Sequence, residues 1–339
     1  MTDLKSLNLS EIEQIVADLN QPKFRAKQIF EWLQKGVDSF DEMKNIPNSL
    51  KEELKIDYYI SYALVEKKFC SKLDETVKYL FKLYDGELIE SVVMKYKHGY
   101  SICVSSQVGC NMGCKFCAST IGGKARDLTA GEILSQIFTA SKDLGVRISN
   151  VVMMGMGEPL DNFDSVVRFL ELVGCPEGLG IGMRHISLST CGVVDKIYKL
   201  MERNLQITLS ISLHAPFNEM RDTIMPINKR YNIDELITAC KKYTDTTGRR
   251  ISFEYALIKG FNDTPECALK LKELLNGIIA HVNLIPANPV HKDKFVEPDK
   301  KAVYAFCDRL NNLGLNATVR RTLGSDIDAS CGQLRQKHK

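Results

Sequence analysis

Residues 150–190 read NVVMMGMGEPLDNFDSVVRFLELVGCPEGLGIGMRHISLST and contain an apolar run, a helical stretch and a second apolar run. The runs 150–156 and 185–190 are short and β-rich, whereas the apolar residues of 165–173 recur at helical spacing. A strand, a helix and a further strand in this order are typical of the unit that joins two parallel strands. This stretch therefore predicts a parallel β-sheet that is covered by helices.

The same alternation continues in both directions along the chain. Further apolar runs occupy 102–106, 207–213, 251–258, 281–286 and 317–322, and further amphipathic stretches occupy 130–144, 193–204, 233–246 and 302–313. About six such repeats predict an α/β fold, namely a full or partial (β/α) barrel. In such barrels the functional residues lie at the carboxyl ends of the strands.

The first part of the chain has a different pattern. Residues 1–55 read as helical, with Ser10 and Glu13 at the spacing of a capping box and a second helix from Pro22. In 60–100, short β-rich runs alternate with turn residues, which predicts a small antiparallel unit. We divide the chain into a helical accessory domain (1–58), a β-rich connecting unit (59–95), the barrel (96–322) and a C-terminal tail (323–339).

Composition narrows the class of protein. The chain has 339 residues, 44% of them hydrophobic, and a formal net charge of +3. This content suffices for a large core and excludes a disordered or collagen-like chain. The sequence shows neither a long uncharged apolar stretch nor the pattern of a signal peptide, so we expect a cytoplasmic protein without a membrane span. The eleven cysteines, an odd number, argue against a disulfide scaffold.

Three of the cysteines lie close together in a glycine-rich segment. Residues 107–120 read QVGCNMGCKFCAST, in which Cys110, Cys114 and Cys117 have the spacing C-x3-C-x2-C. Unrelated cysteines in a turn are one interpretation, and a metal site is the other. Thiolates select zinc, Cu(I) or iron–sulfur clusters, and a closed zinc site needs a fourth Cys or His nearby. A four-iron cluster held by three cysteines leaves one iron open to an outside ligand.

This spacing, with the aromatic Phe116 before the last cysteine, resembles the radical S-adenosylmethionine (SAM) superfamily. In that superfamily the open iron of one [4Fe-4S] cluster binds the amino and carboxylate groups of SAM. An electron from the cluster then cleaves SAM to a 5′-deoxyadenosyl radical. The resemblance implies that Cys110, Cys114 and Cys117 hold the cluster, and that the fold is a partial (β/α)6 TIM-like barrel.

Further segments narrow the resemblance to one family. They are MGMGEPLDN (154–162), LSTCG (188–192), SISLHAP (210–216), HVNLIPANPV (281–290), DIDASCGQL (326–334), RAKQIFEWL (25–33) and MPINKRY (225–231). Together they resemble the dual-specificity RlmN family of RNA methyltransferases over nearly the whole chain. That family methylates carbon 2 of adenosine, in the peptidyl-transferase centre of 23S rRNA and next to the anticodon of tRNA. Cys191 stands where the family usually has Ser, and Ser330 where it usually has Ala.

The resemblance also implies a role for individual residues and the use of two SAM molecules per turnover. Cys331 takes a methyl group from the first SAM, and the radical from the second removes a hydrogen from that group. The resulting methylene joins carbon 2, after which Cys103 attacks the Cys331 sulfur, forms a disulfide and releases the RNA; Glu90 accepts a proton. The residues carried over for SAM binding are Gly157, Glu158, Ser189, Ser212, Leu213, His214 and Asn288.

Other interpretations stay open on the residues alone. Cys103 then reads as a core thiol and Glu90 as a solvated strand residue, whereas Cys331 in its polar tail reads as reactive. Alternative functions are a carbon-8 methyltransferase of the antibiotic-resistance sister family, a radical enzyme with a protein substrate, and a metal-binding RNA adaptor without activity. The resemblance implies 23S rRNA, tRNA and a flavodoxin- or ferredoxin-type electron donor as partners, and a monomer.

Overall fold

The computed structural model describes residues 1–286, 296 and 298–334 of the chain. Within these residues there are ten α-helices: α1 Leu9–Asp18, α2 Phe24–Gln34, α3 Asn48–Asp57, α4 Ala130–Leu144, α5 Phe163–Val173, α6 Val194–Glu202, α7 Asn218–Ile224, α8 Ile233–Thr247, α9 Pro265–Leu274 and α10 Lys300–Asn312. The strands are β1 Thr2–Asp3, β2 Tyr58–Tyr59, β3 Leu64–Cys70, β4 Val77–Lys82, β5 Leu88–Tyr96, β6 Gly99–Cys103, β7 Gln107–Gly109, β8 Lys124–Asp127, β9 Ile148–Met153, β10 Ile186–Thr190, β11 Thr208–Ser212, β12 Ile251–Leu257, β13 Ala280–Pro286 and β14 Ala317–Val319.

One ten-stranded sheet organises the molecule, in the order β14-β13-β12-β11-β10-β9-β6-β5-β4-β3. In the part of this sheet that runs β6-β9-β10-β11-β12-β13-β14, neighbouring strands are parallel. Each neighbouring pair is joined through a helix, and these helices are α4, α5, α6, α8, α9 and α10 in turn. Six βα units of this kind confirm the predicted α/β partial barrel. The sheet stays open, with β14 at one edge and β3 at the other.

The predicted antiparallel unit is an extension of this same sheet. Strands β3, β4, β5 and β6 pair antiparallel in sequence order, and β6 then pairs parallel with β9. The sheet therefore runs without a break across residue 95, where the sequence suggests a boundary. The division of the chain into four parts remains a prediction.

The helical start of the chain differs from its prediction in one detail. Helix α1 is capped by Asn8 rather than by Ser10. The Asn8 side chain accepts from the Glu11 N–H at 3.0 Å, and the Glu11 carboxylate accepts from the Asn8 N–H at 2.7 Å. This pair lies two residues earlier than the Ser10–Glu13 pair, so the predicted capping box is wrong. Both pairs have the same spacing, so the sequence pattern alone does not separate them.

The core lies on one face of the parallel strands. Leu188, Ile211 and Phe253 share this face on three neighbouring strands and are fully buried. The next residue on each strand, Ser189, Ser212 or Glu254, lies on the opposite face, where the strands are polar rather than apolar along their whole length. None of the helices in the described part of the chain has the length and apolar character needed to cross a membrane.

A short hairpin that the sequence analysis missed carries the cysteine segment. Strands β7 and β8 pair antiparallel and enclose the cysteines of 110–117 between them. Gly109, at the end of β7, has φ +77°, and a Cβ atom there would collide with the carbonyl oxygen of Gly123. The close approach of these two backbones thus requires glycine at position 109.

Replacing Gly109 by Ala should therefore destabilise the chain more than an ordinary glycine substitution does. Gly248→Ala is the matched control, because Gly248 also has a positive φ (+64°) but has nothing within 4 Å of the added Cβ. The control should cost about 1 kcal/mol of unfolding free energy, and Gly109→Ala at least about 2 kcal/mol more. Denaturant unfolding of the cluster-free proteins measures both values, and equal losses would contradict the steric argument.

Candidate active site

The carboxyl ends of the parallel strands border a large cavity. Met153 of β9, Ser189 of β10, Ser212 of β11 and Pro286 of β13 line it, each at or next to the end of its strand. The cavity has an empty volume of about 1040 Å³, part of which is open to solvent. This is the position and the size expected of a ligand site in a (β/α) barrel.

The three clustered cysteines line this same cavity. Burial raises the pKa of Cys110 to about 12, and the pKa of Cys114 well above its ordinary value. The charges of Cys110 and Cys117 raise the pKa of Cys114 further, so three thiolates here would repel each other in the absence of cations. An iron–sulfur cluster supplies such cations, and the soft thiolate donors suit it.

The arrangement of the cysteines fits a cluster better than one ion. Among the described residues, no three His, Cys, Asp or Glu side chains converge closely enough to hold a single metal ion. A four-iron cluster does not require that convergence, since each thiolate binds a different iron. Gly113, at φ +70°, makes the turn between Cys110 and Cys114.

The segment after β9 brings a carboxylate to the cavity. Gly157 and Glu158 both line it, and Gly157 has φ +103° with no room for a Cβ atom next to Gln107. The Glu158 carboxylate accepts from the backbone N–H groups of Leu160 (3.0 Å) and Cys191 (2.7 Å). Burial raises the pKa of Glu158. These hydrogen bonds fix the carboxylate at the cavity wall, where it can also accept from an ammonium group.

The other residues carried over for SAM divide into two groups. Ser189, Ser212 and His214 line the cavity, whereas Leu213 is fully buried in the core and is not among the lining residues. Asn288 lies outside the described residues. His214 accepts from the Ala256 N–H through Nδ1 at 2.9 Å, which places the proton of its neutral ring on Nε2. Burial lowers the pKa of His214 to about 3, so the ring is neutral.

An arginine that the sequence analysis missed ties the strand ends together. Arg221 is fully buried, and its guanidinium donates to the carbonyl oxygens of Cys191 (2.6 Å), Ser212 (3.1 Å) and Leu213 (3.1 Å). It therefore joins the loops that follow β10 and β11, from which Ser189 and Ser212 border the cavity. Its position in a helix after β11 carries no motif, which is why the sequence does not reveal it.

A second, smaller cavity lies next to the first and is bordered by two further cysteines. Cys103 and Cys331 both line it, together with Tyr96 and Arg320, and Cys331 lines the larger cavity as well. Burial, followed by the charge of Cys331, raises the pKa of Cys103 to about 12. The Cys331 charge in turn raises the pKa of Arg320. The structure thus brings Cys103 and Cys331 together at the edge of the cluster site.

The expected disulfide is not a bond of this structure. All eleven cysteines, Cys103 and Cys331 included, are free thiols. A disulfide as a standing bond of the chain is therefore wrong. A disulfide between Cys103 and Cys331 that forms only during turnover leaves both residues as thiols in the resting protein, and it stays a prediction.

The C-terminal tail is held on both sides of Cys331. Before it, Asp326 accepts from Ser71 Oγ (2.7 Å) and from the Lys72 N–H (2.8 Å) in the turn between β3 and β4. After it, the Gly332 carbonyl accepts from the Ala118 N–H at 2.7 Å, directly behind the cysteine segment. These contacts place the Cys331 side chain at the cavity rather than in solvent.

Glu90 lies deeper than the sequence analysis assumed. It is 2% exposed and belongs to β5, where Val92 pairs with Cys103 of β6. Side chains two residues apart on a strand point to the same face, so Glu90 shares the face of Val92. Val92 lines the smaller cavity, and Glu90 is not among the described lining residues of either cavity.

A further carboxylate lines the large cavity without having been predicted. Glu254 of β12 is 3% exposed, and burial raises its pKa. It accepts from Asn283 Nδ2 at 2.7 Å and from Ser252 Oγ at 3.0 Å, and Arg320 lies 4.0 Å away. In the sequence, the signal that could have revealed Glu254 is its position as the one charged residue inside the apolar run ISFEYALI (251–258).

Comparison with known proteins gives the family. The family model of the radical SAM superfamily matches residues 104–271, and that of the ribosomal RNA large subunit methyltransferase N-terminal domain matches residues 2–60. A probable dual-specificity RNA methyltransferase RlmN of Clostridium acetobutylicum is 53% identical over 100% of this chain and 98% of its own. A protein of the same description from Lachnospira eligens is 51% identical over 100% of this chain and 97% of its own.

A solved structure agrees with this assignment. The crystal structure of a radical SAM methyltransferase from Sphaerobacter thermophilus is 40% identical and superposes with a TM-score of 0.93, covering 98% of this chain and 99% of the other. Membership in the superfamily implies a [4Fe-4S] cluster and SAM. The cysteine-lined cavity, the matched domains and the full-length relatives together establish that this chain belongs to the RlmN family of radical SAM RNA methyltransferases.

Proposed function

We propose that this protein methylates carbon 2 of adenosine in 23S rRNA and in tRNA, through a methyl group carried on Cys331. One observation carries the proposal: Cys331 lines both the cavity of the three cluster cysteines and the cavity of Cys103. A sulfur at that border is within reach of a radical formed on one side and of a second thiol on the other. Carbon 2 of adenine is not a nucleophile, so direct methyl transfer from SAM fails there.

The residues divide the work in the following way. Cys110, Cys114 and Cys117 hold the cluster, and Gly157, Glu158, Ser189, Ser212 and His214 border the space for SAM. The bound cluster and SAM supply a 5′-deoxyadenosyl radical. Cys331 attacks the methyl group of a first SAM, which leaves as S-adenosylhomocysteine, and so holds a carbon from which a hydrogen can be removed.

Release of the RNA falls to Cys103. Once the methylene radical on Cys331 has joined carbon 2, Glu90 accepts the proton of that carbon and the adduct gives up one electron, for which a bound, oxidised cluster would be the acceptor. Cys103 then attacks the Cys331 sulfur as a thiolate. The carbon–sulfur bond breaks, its carbon takes up a proton to complete the methyl group, and a transient disulfide forms, which external thiols reduce by exchange. The target base must leave its stack to reach these groups.

The proposal includes the wider setting of the reaction. A flavodoxin- or ferredoxin-type protein supplies the electrons, the enzyme works as a monomer in the cytoplasm, and two SAM molecules are used per turnover. Arg320 and Arg321, next to Cys331 in the smaller cavity, supply positive charge for the RNA phosphates.

The experiment that tests the function uses the reconstituted enzyme with SAM labelled in its methyl group. Ribosomal RNA and tRNA without prior methylation are incubated with it under a reductant, digested and analysed by nucleoside mass spectrometry. Labelled 2-methyladenosine is expected. Labelled 8-methyladenosine would assign the chain to the sister activity instead, and SAM cleavage with unlabelled RNA would contradict an RNA substrate.

We predict that Ala at position 110, 114 or 117 abolishes the cluster and leaves a folded chain. Cys267→Ala is the matched control, because Cys267 is buried, as Cys110 and Cys114 are, but lies on α9 and does not line the cavity. Iron and sulfide analysis after anaerobic reconstitution measures the cluster. A full four-iron complement in one of the three variants would refute the assignment of the substituted cysteine as a cluster ligand.

We also predict that the purified protein carries a methyl group on Cys331. Peptide mass spectrometry of protein made with its cluster intact detects this modification. Cys70, an exposed thiol, serves as the internal control and should stay unmodified. An unmethylated Cys331, together with methyl transfer to RNA by Cys331→Ala, would overturn the two-step mechanism.

The loss of Cys103 should trap the enzyme on its substrate. Methylation of Cys331 and attachment to the base do not need Cys103, so Cys103→Ala should form a protein–RNA crosslink, whereas Cys103→Ala/Cys331→Ala should not. Denaturing gels with labelled RNA show the difference. If Cys103 were only a core thiol, its loss would cost about 1–2 kcal/mol of stability, with normal 2-methyladenosine production and no crosslink.

A further inference from the structure

A buried lysine lies between the proposed proton acceptor and the C-terminal tail. Lys78 Nζ is 3.4 Å from Glu90 Oε1 and donates to the carbonyl oxygen of Asp328 at 3.3 Å. The side chains of Lys78 and Glu90 are only 5% and 3% exposed. One ammonium group thus contacts both the β5 carboxylate and the tail, which are far apart in the sequence.

Stability alone does not account for a lysine at this position. Removing an ammonium group from water costs several kcal/mol, and a well-packed apolar pair often stabilises a fold as well as a buried ion pair does. Two further neighbours complete the surroundings: the Phe69 ring, whose centroid lies 5.2 Å from Nζ and whose face attracts a cation, and Val92, the partner of Lys78 across β4 and β5. A positioning role explains why the charge is kept.

The contact with Asp328 falls in the part of the tail that leads to Cys331. Asp328 has φ +50°, a left-handed conformation, and directly follows the turn of 325–327. Three residues later Cys331 enters the border of the two cavities. Asp326 and Gly332 hold the tail without Lys78, so the lysine sets the position of Glu90 relative to Cys331 rather than the position of Cys331 itself.

We propose that Lys78 is a positioning residue, whose ammonium group sets the Glu90 carboxylate in a fixed relation to the tail that carries Cys331. The inference rests on the proposed function, in which Glu90 accepts the proton of carbon 2 while the base is attached to Cys331. Lys78 touches neither RNA nor SAM in this account. It acts by holding the acceptor and the attached base in register, which general-base catalysis requires.

The test separates the steps before attachment of the base from the step after it. Lys78→Met removes the charge and keeps most of the side-chain volume. Because Glu90 acts only after attachment, this variant should load its cluster, methylate Cys331 and release 5′-deoxyadenosine. Formation of 2-methyladenosine should fall by about 10- to 100-fold in kcat, with less than about a 2-fold change in KM for RNA, while the protein–RNA crosslink accumulates.

Two further variants give the controls. Lys78→Arg keeps the charge and the donor, and should recover most of the lost kcat and remove the crosslink. Lys68→Met removes the ion pair between Lys68 of β3 and Asp143 of α4, and should turn over at close to the normal rate. If Lys78→Met fails to load a cluster, Lys78→Gln is tested in its place, because its amide keeps a donor for the Asp328 carbonyl. This variant should also stall after the base has been attached to Cys331.

The inference is overturned by any of three results. The first is normal 2-methyladenosine production by Lys78→Met. The second is that Lys78→Met and Lys78→Arg lose the cluster, Cys331 methylation and product to the same extent, and that neither forms a crosslink. The third is that Lys78→Gln fails to load a cluster.

The unsubstituted protein is assayed in parallel. If it forms neither 2-methyladenosine nor S-methyl-Cys331, the proposed function fails. If both it and Lys78→Met form product normally, only the role of Lys78 is removed.

Discussion

Two hydrogen bonds near the C-terminus hold Cys331 where the other groups of the site converge. The Gly332 carbonyl accepts from the Ala118 N–H, and the Leu334 carbonyl accepts from Ser119 Oγ, each at 2.7 Å. Ala118 directly follows Cys117, the last cysteine of the C-x3-C-x2-C segment. Cys331, the proposed methyl carrier, and the three proposed cluster ligands are consequently positioned by one piece of backbone, so a change in the cysteine segment is also a change in the position of Cys331.

The parallel sheet supplies the rest of the site by a general property of its architecture. Since the strands run the same way, their carboxyl ends meet on one side, and the loops of β9, β10 and β11 all border one cavity. Arg221 and Glu158 then fix these loops through hydrogen bonds to backbone groups. The polar ends of Arg221 and Glu158 are both buried, so the free-energy cost of removing them from water is offset only when all of these hydrogen bonds are made. The result is a rigid wall on which a cofactor can be oriented.

Local signals made part of this structure predictable. Helix α4 has its predicted bounds because Thr129 and Glu132 form a capping box and Gly145 ends it in a left-handed conformation. Motifs singled out the three clustered cysteines and Cys331, and the structure brings all four to one cavity. The positions of Lys78 and Arg221 depend on contacts between segments far apart in the chain, and neither residue has a local pattern. For the same reason the residues alone favour a solvated Glu90, whereas the sheet buries it.

The central claim is that the site built around Cys331 methylates carbon 2 of adenosine in RNA. The most direct measurement is nucleoside mass spectrometry of ribosomal RNA and tRNA from a strain that lacks the gene, with the gene and its Cys331→Ala form restored in parallel. The account predicts that 2-methyladenosine disappears, returns with the intact gene and does not return with the variant. Unchanged 2-methyladenosine in the deletion strain, or its return with Cys331→Ala, would contradict it.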